Sequence, residues 1–147
     1  MTEASAENAS QIAKRVQDSF DQQTMMRTAG AELVAVEPGR VTIRAPIAAH
    51  LLQQHGAAHA GLAFMLGDSA AGYAALTLMP EGVEVMTVEM KINLMAPAVG
   101  EALEAVGSVE RTGRRLSVVR AEVVAVTGGR RKTVALLQGT MIPVDPA

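Results

Sequence analysis

Apolar residues recur at Ile12, Val16 and Phe20, one stripe on a short helix over residues 10–20, while residues 1–9 are small and polar and are expected to fray. The run AELVAVEPGRVTIRAPI reads as two strands hinged at Pro38-Gly39 and closed by Pro46. IAAHLLQQHGAA, residues 47–58, keeps no period and reads as loop with room for one helical turn. A long helix is expected over 60–78, because the run is too long and too rich in Ala, Leu and Met for a strand; Pro80 and Gly82 stop it. The period then switches to two in VEVMTVEMKINLM, which sets Met86, Val88, Met90, Ile92 and Leu94 on one face and Thr87, Glu89, Lys91 and Asn93 on the other. Residues 101–110, 115–127 and 130–142 complete an antiparallel set, turned at Thr112-Gly113 and Gly128-Gly129.

A helix this apolar on all sides cannot lie on one face of a small sheet with its back to water. Either the sheet curls around it or a partner covers it, and the long final strands suggest edges that a partner pairs. The expected architecture is an α+β domain over residues 1–147, with about five to six antiparallel strands wrapped on a central helix, in an oligomer.

The stretch His59 to Met79 is long enough to raise the question of a membrane span. Asp68 in its middle would cost roughly 2.5–3.5 kcal/mol there, and basic flanks are missing. Hydrophobic residues make up 49% of the chain and charged residues 19%, a globular balance. A net charge of -2 leaves no basic excess for nucleic acid, and the absence of Cys excludes disulfides, thiolate nucleophiles and cysteine zinc sites. No secretory leader is visible. These features fit a cytoplasmic protein with neither nucleic-acid nor membrane partners.

Several features then fall in order. His59-Ala60-Gly61 opens the helix, Asp68 follows nine residues after the His with Ser69 behind it, Thr87 and Glu89 stand on the next strand, and Leu-Met-Ala-Pro-Ala fills 94–98. Together, across residues 48–143, they resemble the hotdog-fold acyl-CoA thioesterases of the phenylacetic-acid-degradation type. Two positions depart from that pattern: Gln53 stands where the family commonly has Asn, and Ala60 replaces the first Gly of His-Gly-Gly. The resemblance implies a homodimer or homotetramer in which the helix start of one chain faces the Asp of another. It further implies that Asp68 serves as general base or nucleophile, and that Thr87 orients water.

The chemistry asks for the same parts. Thioester hydrolysis needs a polarised carbonyl, an activated water and a dry acyl pocket. The first backbone amides of the helix, at Ala60 and Gly61, have no partner within the helix and carry its positive dipole end, so they can face an oxyanion. Asp68 lies eight residues beyond Ala60, about 12 Å along the axis, too far to act at its own helix start. Apolar surroundings should raise its pKa and make it a better base. Gln53 is a candidate for holding the carbonyl or the water. His59 and His55 are candidate substrate contacts, His59 more as a loop-fixing residue than as a base, and Phe64 is a candidate pocket wall. Basic turns at Arg111, Arg114 and Arg115 and at Arg130, Arg131 and Lys132 could meet coenzyme A phosphates, solvated turns being the simpler reading.

The expected function is hydrolysis of aryl or short- to medium-chain acyl-CoA to free acid and coenzyme A. No metal or redox cofactor is expected, coenzyme A being part of the substrate. The alternatives are a non-catalytic acyl-CoA-binding hotdog module and a hotdog enoyl-thioester hydratase, whose usual Asp-x-Asn-x-x-His string is missing here.

Overall fold

The computed structural model describes residues 3–146. Helix α1, Glu3–Gln22, and helix α2, Thr24–Ala29, precede strands β1, Glu32–Glu37, and β2, Arg40–Pro46. A 3₁₀ turn at Ala49–Leu51 leads to helix α3, Ala60–Leu76, and then come β3, Glu84–Leu94, β4, Ala102–Thr112, β5, Ser117–Thr127, and β6, Arg130–Val144. The six strands form one antiparallel sheet in the order β1-β2-β4-β5-β6-β3. The sheet wraps α3, which packs on every strand from β2 to β6.

Close wrapping depends on Gly107 of β4. A Cβ there would lie 2.2 Å from the backbone carbon of Ala70, so helix and sheet meet backbone to backbone at that point. Twelve residues of α3 are buried, and its exposed side is the narrow line Ala60, Gly61 and Phe64, continued by half-buried Asp68 and Ser69. Spacing of four residues from Ala60 to Phe64 to Asp68 makes that line one helical stripe. Helix α1 covers part of the side that the sheet leaves open. Its Val16 and Phe20 are buried in the same core, and the Phe20 and Tyr73 rings lie 6.3 Å apart.

Four expectations are corrected. Within 3–9, the stretch expected to fray belongs to α1, whose Ala- and Glu-rich start is helix-forming; Met1 and Thr2 lie outside the described residues. The helix expected over 10–20 therefore runs Glu3–Gln22. Helix α2 was not expected; Gly30, at φ 66°, closes it in the left-handed conformation. Helix α3 ends at Leu76 rather than at 78, where the Thr77 hydroxyl donates to the Ala74 carbonyl and tighter bonds from Leu78 and Met79 unwind the last turn before Pro80.

The largest correction falls on β3. A bulge at Val88, between the Thr87–Met141 and Glu89–Thr140 pairs, breaks the strict alternation. Thr87 therefore shares the helix-facing side with Met90 and Ile92, while Met86 and Val88 are 54% and 57% exposed.

Candidate active site

Asp68 is the only acid on α3, and β3 places Thr87 against it. The Thr87 hydroxyl donates to Asp68 Oδ1 at 2.9 Å, and Met141 Sδ lies 3.3 Å from the Thr87 hydroxyl oxygen. Burial pushes the Asp68 pKa above the ordinary 3.8, and the Thr87 hydrogen bond opposes that rise without cancelling it. The carboxylate faces a small cleft of about 200 Å³ together with Ser19 of α1, Gln23 at the junction of α1 and α2, Tyr73, Glu84 and Thr87. Gln23 Nε2 donates to the Tyr73 hydroxyl at 2.6 Å, and Ser19 Oγ lies 3.2 Å from it, so the end of α1 and the residue that follows it are fixed as one wall of this cleft. Ser19 and Gln23 were missed from sequence; Ser19 adjoins Phe20 on α1, but Gln23 follows the end of that helix in an extended conformation that no periodicity signals.

The helix start lies in a different cleft. Gln53, Ala60, Ala63, Leu94, Pro97 and Val134 help line a mostly apolar space of about 410 Å³. His59, the N-cap of α3, turns away from this space to line another cleft with Gly61, Leu62 and Met65, and its Nδ1 accepts the Gly61 amide at 2.8 Å. A Cβ on residue 61 would come within 2.9 Å of that nitrogen, so Gly61 makes room for the ring. This corrects the expectation that both amides stand free. Gly61 N–H is used by His59, Leu62 N–H is taken by the His59 carbonyl at 2.9 Å, and Ala60 N–H alone lacks a partner among the described residues.

Gln53 holds its own turn. Its backbone N–H bonds to the Ala57 carbonyl at 2.8 Å, and its side-chain Oε1 accepts from the His55 amide. The Nε2 group has no partner among the described residues and is the donor left to this cleft. His55 is exposed and its ring lines neither cleft. Phe64 is 36% exposed on the stripe between Ala60 and Asp68. Arg114 and Arg115 are exposed in the β4–β5 turn and line neither cleft. One chain therefore holds two separate groups of candidate residues, Ala60 with Gln53 and Asp68 with Thr87, with Ala60 and Asp68 on one helical stripe about two turns apart.

The family model described as Thioesterase superfamily matches residues 55–132, more than half the chain and both ends of α3. The chain belongs to the thioesterase superfamily. A thioesterase family protein from Silicibacter pomeroyi shares the fold with a TM-score of 0.89 and 39% identity, over 92% of this chain and 99% of that one. The acyl-coenzyme A thioesterase PaaI of Escherichia coli (strain K12) is 25% identical over 121 residues, 82% of each chain. The structure of the E. coli PaaI protein superposes with a TM-score of 0.84 over 95% of this chain and 97% of that one, at 21% identity. The architecture is thus the hotdog fold, and this thioesterase is a thioester hydrolase by membership. Among its described residues no helix is long and apolar enough to cross a membrane.

Proposed function

We propose that the protein hydrolyses acyl-CoA thioesters, with aryl or short- to medium-chain acyl groups, in active sites shared between two copies of the chain. The observation that carries this reading is the split of the machinery: Ala60 and Asp68 occupy separate clefts of one chain. Strand β3 supports the way the halves meet. It is a sheet edge, with exposed apolar side chains at Met86, Val88 and Leu94 and, just past its end, at Met95. Its Thr87 end carries Asp68, and its Leu94 end borders the cleft of Ala60. A two-fold pairing of β3 with its copy runs antiparallel and brings the Leu94 end of one chain to the Thr87 end of the other.

In that arrangement the Ala60 amide, at the positive end of α3, donates to the thioester oxygen as negative charge builds on it. Gln53 Nε2 supplies a second donor to the carbonyl or the water. Asp68 from the other chain takes a proton as water adds to the carbonyl carbon; the C–S bond then breaks, and the coenzyme A sulfur leaves with that proton. Direct attack by Asp68, followed by hydrolysis of the anhydride, uses the same groups. No step requires a metal or a redox cofactor.

Thiol release from a panel of acyl-CoA substrates, wild type beside Asp68→Asn, tests the reading. Turnover by the wild type and its loss in the variant is the expected result. Binding without turnover in both would assign the chain to a non-catalytic acyl-CoA-binding role instead.

A further inference from the structure

Near its start, strand β6 changes what it presents to the helix side. Val123 pairs with Ala135 but Val124 pairs with Thr133, so Val134 bulges out and becomes part of the wall of the Ala60 cleft. Beyond it the alternation resumes. Thr133 donates to Glu122 at 2.5 Å, and Arg131 Nη2 pairs at 2.6 Å with Oε1 of Glu104. Glu104 stands between Leu103 and Ala105, both buried against the helix, so Thr133 and Arg131 belong to the outer face. Lys132 and Arg130 therefore point to the helix side. Lys132 lies opposite Ala125, a core residue, and Arg130 opposite Thr127. Neither pairs with a carboxylate among the described residues.

The geometry points to Arg130 and Lys132 as the site for the phosphates of the coenzyme A nucleotide, the pantetheine arm lying along the apolar cleft between Leu94–Pro97 and Val134. This rests on the thioesterase reading of that cleft. The thioester would sit at the inner end, by Gln53 and Ala60. From Val134 to Arg130 the strand advances about 13 Å, and two long basic side chains extend that reach, a span suited to a long flexible arm ending in phosphates. The turn is thus divided. Arg131, with the same charge and one residue away, is directed to the other face and engaged by Glu104.

Steady-state kinetics with one acyl group carried on coenzyme A, on 3′-dephospho-coenzyme A and on pantetheine test the assignment, in wild type, Arg130→Gln/Lys132→Gln and Arg131→Gln. In the double variant the preference in kcat/KM for acyl-CoA over acyl-pantetheine should fall about tenfold through KM, and the added salt dependence of acyl-CoA hydrolysis should shrink. Arg131→Gln should keep the wild-type preference. The dephospho substrate separates the 3′-phosphate from the pyrophosphate. An unchanged preference in the double variant, or an equal loss in Arg131→Gln, overturns the assignment. Calorimetry with free coenzyme A keeps the two readings apart. If no thioester is turned over, the catalytic reading fails and the calorimetric affinities decide the phosphate site. Wild type binding no coenzyme A, or the double variant binding it equally well, overturns that site.

Discussion

The Thr87 hydroxyl donates a 2.9 Å hydrogen bond to Asp68, joining the single acid of α3 to the strand at the edge of the sheet. Burial raises the Asp68 pKa above 3.8 and is the larger influence; the Thr87 bond lowers it. If ionised Asp68 is the active form, kcat/KM rises with pH through this raised value, so the acid limb lies above the ordinary carboxylate position. Thr87→Val removes the lowering influence and should move the limb to still higher pH. A pH–rate profile for each protein measures this, and a limb displaced toward lower pH in the variant would contradict it.

Asp68→Asn should lower kcat by about 10²- to 10⁴-fold, the usual worth of a positioned base. Its effect on stability has the opposite sign from most active-site losses. Because the folded carboxyl has a raised pKa, the native state holds its proton more tightly than the unfolded chain. The associated stability is fully present below 3.8 and is lost as pH rises through the folded value. At neutral pH the wild type bears the cost of a sheltered charge, and Asn removes it. Denaturant unfolding at pH 7 should find the variant at least as stable as the wild type, with its relative advantage shrinking toward pH 3.8. A variant clearly less stable at pH 7 would mean that the carboxylate makes structural bonds beyond the one to Thr87.

Much of this was legible in the chain. The long helix, six strands and their turns follow from a change of period, and Asp68 stands out as a lone acid in an apolar run. The face of Thr87 was not legible, because a bulge at Val88 is set by pairing with β6 rather than by the local pattern of β3. The split between the two helix-start amides was hidden for a similar reason: whether His59 turns back to cap Gly61 depends on the conformation of the residue before the helix, φ -60° and ψ 141°. Ser19 and Gln23 reach the site only through the docking of α1, a tertiary contact made by Phe20 and Tyr73.

His59 caps α3 through Nδ1, and that role predicts a pattern of substitutions. His59→Ala should cost about 0.5–2 kcal/mol of stability, and His59→Asn, which also caps well, should recover most of it. A capping residue that is not the base leaves His59→Asn with kcat/KM within about tenfold of wild type. A loss comparable to that of Asp68→Asn would instead make His59 part of the proton transfer.

The proposed sharing of each site between two chains makes its own prediction through two defects placed on different chains. Ala60 is the first residue of α3, where proline is tolerated, and the extended backbone of His59 suits a following proline. Ala60→Pro therefore removes the free amide while keeping the helix. Homodimers of Ala60→Pro or of Asp68→Asn carry one defect in every site and should be nearly inactive. Refolding the two variants together in equal amounts should form mixed dimers in which one site holds both defects and the other holds none. About half of the dimers are then mixed, and activity should return to about a quarter of wild type. A site built within one chain would gain nothing from mixing, since each chain would keep its own defect. Thiol release from the refolded mixture, set beside each variant refolded alone, distinguishes the two arrangements.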